Sequence, residues 1–140
     1  MTITKKHRAY FNAARAVSNL SDFPRVNIGC VIVYGHKIIS SGFNSMKSHP
    51  LQRKYNTYRF DVDGESAHTL HAETQALLPL IGRNDIDFSR VSLYTYRQCK
   101  NGCLANARPC TSCMALIRSL GIRHIYYTNE GSYVNENLLY

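Results

Sequence analysis

The sequence predicts an α/β fold, one sheet with helices on both faces, on three observations. Helix-period and strand-period segments alternate along it in the order αββαβαβ, the pattern of a sheet buried between helices. The 140 residues, 44% hydrophobic and 19% charged, suit one domain (1–140) that buries about two-thirds of its unfolded surface. No internal repeat, low-complexity tract or linker divides the chain.

The first helix is expected over residues 6–19, where Tyr10, Ala13, Ala14 and Val17 recur at i, i+3, i+4 and i+7. Ser21-Asp22-Phe23-Pro24 ends it. Residues 26–33 and 37–41 read as strands, and the short Tyr34-Gly35-His36 link makes them an antiparallel hairpin. Residues 43–66 have no period and are polar and basic; so long a loop in a small domain is usually functional or poorly ordered. Helical spacing returns over 70–78 through Ala72, Ala76 and Leu77. Pro79 should end or kink that helix, because it lacks an N–H and crowds the preceding turn. Residues 91–96 alternate as a strand, and 98–108 form a second polar loop.

Pro109 suits a first helical position, where no N–H is needed. The helix it opens turns Met114, Ile117 and Leu120 inward and stops at Gly121, a residue suited to a left-handed cap. Residues 122–128 are the last expected strand. For 129–140 a short helix and a loop both fit.

Charge and cysteines narrow the function. Seventeen Lys and Arg against nine Asp and Glu give a formal +8. That balance favours an anionic partner, nucleotide or nucleic acid, although solubility alone also accounts for it. The longest apolar runs, such as Cys30-Val31-Ile32-Val33, are strand-sized, so no membrane span is expected. Met1 to Arg8 is polar and basic with no apolar stretch behind it; no secretory signal is read there, and the cytoplasm is the expected compartment. Five cysteines, two of them in C-x-x-C, favour a metal over a disulfide framework in a reducing compartment.

The chemistry lies in His71-Ala72-Glu73 and Pro109-Cys110-Thr111-Ser112-Cys113. His71, Cys110 and Cys113 offer one imidazole and two thiolates to zinc, one donor short of a closed tetrahedron. A fourth position left for water distinguishes catalytic from structural zinc. Cys110 and Cys113 are neighbours in a first helical turn, where the dipole favours thiolates. Zinc in such a site brings the pKa of its water towards neutrality. Glu73, beside but not on the metal, is the candidate catalytic residue, moving protons from water to a ring nitrogen and to a leaving amine. A structural zinc site, in a binding protein without turnover, is the plainer alternative.

H-x-E followed by P-C-x-x-C resembles the signature of zinc nucleobase deaminases, and the likeness to the cytidine and deoxycytidylate deaminase superfamily runs through most of the chain. Asn27 to Val33 resembles that family's first strand, Gly42-Phe43-Asn44 the motif after its second, and Ser119 to Tyr127 the turn after its cysteines. Order and spacing are closest to the deoxycytidylate branch, and the segment between Asn44 and His71 resembles that branch's insertion. The resemblance implies a cytidine-deaminase-like three-layer sandwich with a central mixed sheet, one catalytic zinc and a homo-oligomer. It places Asn44 on the sugar or ring and the Ala72 N–H on the base. It also makes Arg25 a candidate phosphate contact, where a solvated loop charge is the plainer reading.

The loop 98–108 departs from the family by its length. With Arg97 just before it, it carries Lys100 and Arg108 around the expected pocket mouth, which suits a phosphate. A second, structural zinc on Cys99 and Cys103 with His49 or His68 stands against free thiols there. Among ten tyrosines, Tyr94, Tyr96, Tyr126 and Tyr127 fall on strands as core. Tyr55 and Tyr58, beside Arg53, Lys54 and Arg59, are stacking candidates for single-stranded nucleic acid. The expected activity is hydrolytic deamination of a cytosine-type base to uracil, on a nucleotide such as dCMP. A base within single-stranded DNA or tRNA, or a free nucleoside, is the alternative substrate.

Overall fold

A computed structural model of the chain describes residues 3–23, 26–56, 69–98 and 104–138. Helix α1 (Lys5–Ser18) leads into a hairpin of β1 (Asn27–Tyr34) and β2 (Lys37–Phe43). Helices α2 (Pro50–Tyr55) and α3 (Ala72–Leu77) precede β3 (Ser92–Gln98). Helix α4 (Thr111–Leu120) connects to β4 (His124–Asn129), and β5 (Ser132–Asn137) follows.

The strands form one sheet in the order β2-β1-β3-β4-β5. Only β3 and β4 run parallel, and α4 supplies the crossover that a parallel pair requires. The pleat of β1 sends alternate side chains to opposite faces. Val31 and Val33 meet Phe11 and Ala14 of α1, while Cys30 and Ile32 join Ala76 of α3 and Ile117 of α4. Helices thus cover both faces of a mixed sheet, as expected. No helix among the described residues is long and apolar enough to cross a membrane.

Four expectations need correction. The face of α1 centres on Phe11, Ala14 and Ser18, with Tyr10, Ala13 and Val17 only half-buried. The segment after β2 is not loop throughout: His49 caps α2 by accepting the Leu51 N–H at 3.0 Å, and Pro50 starts the helix. Pro109 is not the first helical residue. Cys110 is extended (φ −69, ψ 173) and forms the N-cap, so α4 begins at Thr111. The tail is neither helix nor loop. Gly131 turns at φ 72, and β5 returns along β4 with Tyr127 opposite Val134.

Two glycines set how closely the layers approach. A β-carbon at Gly29 would lie 2.0 Å from the Ala14 carbonyl oxygen, and one at Gly42 would lie 2.5 Å from both Ala72 O and Ala76 N. Gly42→Ala should therefore push the first turn of α3 off the sheet. Overpacking of this kind costs about 1–3 kcal/mol. Activity should fall further than in an equally destabilised variant elsewhere, when denaturant unfolding and turnover are measured side by side.

Candidate active site

Two helix N-termini meet at the site. His71 is the N-cap of α3 (φ −81, ψ 155) and Cys110 the N-cap of α4, yet neither side chain caps its own helix. Serine, threonine, aspartate and asparagine usually fill that position by bonding the first turn. Here an imidazole and a thiol turn instead to a common centre. Cys113, in the first turn of α4, completes it.

His71 Nδ1 lies 3.2 Å from Cys113 Sγ and 3.5 Å from Cys110 Sγ, and the three donor atoms all lie within 4.8 Å of one another. Tetrahedral zinc, with its usual bond lengths to nitrogen and sulfur, places such donors ~3.6 Å apart. The spacing fits. The thiols fit too: Cys110 is held down to about 3 by its hydrogen bond with Cys113 and by His71, while the Cys113 thiol is pushed up by that same contact and by burial. An acidic thiol beside a second thiol and an imidazole is a donor set that suits a dication. Ser112 Oγ stands 3.0 Å from Cys110 Sγ, and Thr74 Oγ1 stands 3.9 Å from Cys113 Sγ.

Glu73 follows one residue into α3 and is 5% exposed. Burial is the main cause that raises its carboxyl above the ordinary value, with Cys110 adding to the rise and His71 opposing it. A buried carboxyl that holds a proton readily suits acid–base work.

The site opens into a cavity of about 370 Å³. His71, Ala72, Glu73 and Cys110 line it, together with Phe23, Val26, Ile28 and Asn44. Arg97, Asn106 and Arg108 complete it. Asn44 accepts the Ile28 N–H at 2.9 Å and donates to Val26 O at 2.7 Å. It holds the start of β1 against the loop after β2, with one amide hydrogen uncommitted among the described residues. Arg108 forks onto Glu136 at 2.9 and 2.8 Å, and Tyr127 donates its hydroxyl to the same carboxylate. Among the described residues the Arg97 guanidinium makes one long contact, 3.4 Å to Asn106 O.

The structure thus brings together His71, Ala72, Glu73, Cys110, Cys113, Asn44 and Arg97. Arg25 lies outside the described residues, as do Lys100, Tyr58, Arg59 and the Cys99, Cys103 and His68 of the second zinc expectation. His49, its fourth member, uses Nδ1 to cap α2. Tyr55 sets its hydroxyl 3.2 Å from Ser119 Oγ on α4.

Sequence reasoning missed Gln52. It is fully buried, accepts the His71 N–H at 3.1 Å and donates to Asn56 Oδ1 at 3.0 Å. The only signal was its place on one face of a short helix after a proline. Gln52→Leu should leave the His71 N–H without its acceptor, at about 1–3 kcal/mol. Loosening a ligand in this way should weaken zinc binding roughly tenfold, read by competition against a chelator.

The family described as the cytidine and deoxycytidylate deaminase zinc-binding region has a model that matches residues 4–129. The chain belongs to that family. A relative from Aliivibrio fischeri, described as an uncharacterized deaminase in the luxG 3′ region, is 27% identical over 124 residues, 89% of this chain and 73% of its own. The dCMP deaminase of cyanophage S-TIM5 superposes in its apo form with a TM-score of 0.62 at 24% identity, over 93% of this chain and 86% of its own. The same enzyme in complex with dCMP and dUMP gives 0.61 at 21%, over 91% and 83%. Cytidine deaminase from Burkholderia pseudomallei gives 0.65 at 17%, over 98% and 93%. At these identities the solved structures establish a shared fold. Together with the donor group, family membership identifies the protein as a zinc-dependent deaminase.

Proposed function

We propose that this deaminase hydrolyses the exocyclic amine of cytosine in a nucleotide of the dCMP class, releasing ammonia and leaving uracil. The observation that carries the reading is one cavity lined by His71 and Cys110 of the donor group, by Glu73 and by Arg97. The structural likeness to an enzyme solved with dCMP and dUMP supports it.

His71, Cys110 and Cys113 are the zinc ligands, and zinc held there supplies an acidified water at neutral pH. Glu73 takes a proton from the attacking water onto its carboxylate and gives it to the ring nitrogen. The water oxygen bonds to the amidine carbon. Glu73 then carries the second proton to the exocyclic nitrogen as the carbon–nitrogen bond breaks. The Ala72 N–H, first in α3 and without an intrahelical acceptor, faces the base. Asn44 offers its remaining amide hydrogen to the sugar or ring. Arg97 meets the phosphate, joined by Arg25.

The net charge of +8 favours a second substrate, a cytosine within single-stranded nucleic acid. Product formation from dCMP, cytidine and a cytosine-containing oligonucleotide separates the two. dCMP should be the preferred substrate, with a shallow salt dependence, whereas a polymer would show a steep one. Arg97→Ala should raise KM for dCMP about tenfold or more through one lost charge-assisted contact, with cytidine turnover unchanged. An equal loss on cytidine, or turnover of the oligonucleotide alone, would sink the reading.

A further inference from the structure

A second cavity, of about 310 Å³, opens at the other end of the sheet. The β1–β3 ladder sets Ile28 opposite Arg97 at the active site and Val33 opposite Ser92 at this cavity. That rise along β1 is about 17 Å of strand. The two cavities share no lining residue.

The polar lining is of one kind. Lys6 and His7 come from the first turn of α1, His36 from the β1–β2 turn, Arg90 from the approach to β3 and Ser92 from its first residue. Among the described residues no carboxylate lines the cavity. Neither Lys6 nor Arg90 forms an ion pair among the described residues. Asp87, the acid nearest Arg90 in sequence, directs Oδ1 at the Ser89 N–H and hydroxyl and meets Arg90 only through space. His7 Nδ1 accepts the Thr4 N–H at 3.3 Å, which makes Nε2 the donor nitrogen of the neutral ring. Tyr94 and Tyr126, stacked at 4.3 Å and 5°, contribute the aromatic part.

His36 stands at the tip of the β1–β2 hairpin. Gly35 and His36 both hold positive φ, 58 and 66, the conformation of a two-residue turn that prefers glycine in its second seat. Histidine is among the non-glycine residues that tolerate this conformation, and here it brings an imidazole to a wall that already carries two cations. The Tyr10 hydroxyl donates to the His36 carbonyl at 2.8 Å and fixes the turn against α1.

We propose that this cavity binds a phosphate group, with Lys6 and Arg90 supplying charge and His7, His36 and Ser92 supplying hydrogen bonds. The phosphate is free or the terminal group of a nucleotide, and the chemistry recognised is the same. The zinc-loaded protein is titrated with inorganic phosphate, with adenosine monophosphate and with adenosine, following histidine-ring NMR signals. Phosphate and the monophosphate should move the His7 and His36 rings together, and adenosine should not. Tighter binding of the monophosphate assigns a nucleotide as the source; equal binding assigns free phosphate.

Lys6→Ala with Arg90→Ala should weaken phosphate binding at least about tenfold, the worth of one hydrogen bond to a charged group. His36→Gly installs the residue the turn prefers, so the fold is retained, and binding should again fall about tenfold. Cytosine deamination in phosphate-free buffer should match wild type in these variants. Phosphate that moves only His71, or that moves His7 and His36 equally in the Lys6→Ala/Arg90→Ala protein, would overturn the assignment.

Discussion

Glu73→Gln should stop deamination while leaving the fold and the zinc content as they are. The amide keeps the shape of the side chain and gives up the proton carrier, and positioned acid–base groups contribute about 10²–10⁴ in rate. The loss should fall on kcat with little change in KM, because the residue acts on protons and not on affinity. Turnover within a few-fold of wild type would remove Glu73 from the mechanism.

The same substitution has a signature away from catalysis. Burial raises the Glu73 carboxyl in the metal-free protein. A group raised on folding contributes fully below its unfolded value, and that contribution is lost as pH climbs through the folded one. Metal-free wild type should therefore lose stability relative to Glu73→Gln as pH rises from the ordinary carboxylate range towards neutrality. Urea midpoints of the two proteins at about pH 5 and about pH 8 test the sign. A gap independent of pH would mean that the carboxyl is not buried as described.

The fold and site were legible where chemistry is local, and illegible where burial is decided at a distance. His71, Glu73, Cys110 and Cys113 stand in two short motifs, each at a helix start, so spacing alone brought them together. β5 escaped because Asn135, Glu136 and Asn137 give it no apolar alternation; pairing with β4 and the Arg108–Glu136 fork hold it instead. Phe11 escaped because an i, i+3 pattern through Tyr10 and Ala13 masks the true centre of the α1 face, which Gly29 fixes by admitting the Ala14–Ser18 backbone. Gln52 escaped because a glutamine between Leu51 and Arg53 reads as surface, and only the fold presents it with the His71 N–H. Pro109 misled by one residue. The preference for proline at helix starts was satisfied just outside the helix, and that shift is what lets Cys110 occupy the cap.

Cys113→Ala tests the metal centre as Glu73→Gln tests the proton. Cys113 is 1% exposed, so the substitution leaves a small cavity as well as removing a donor. Cys30→Ala is the matched control: that thiol is also buried, on β1 facing the same core, but it is not in the donor group. Zinc content should fall from about one per chain towards zero in Cys113→Ala and stay unchanged in Cys30→Ala. A ligand that binds only the folded state stabilises it in proportion to the logarithm of its concentration over Kd. Added zinc should therefore raise Tm in wild type, Cys30→Ala and Glu73→Gln, but not in Cys113→Ala. Glu73→Gln then separates metal from chemistry, holding zinc without turning over, while Cys113→Ala loses both. If Cys113→Ala kept its zinc, His71 and Cys110 would have to hold it with a donor from elsewhere, and the three-donor centre with an open fourth position would be wrong.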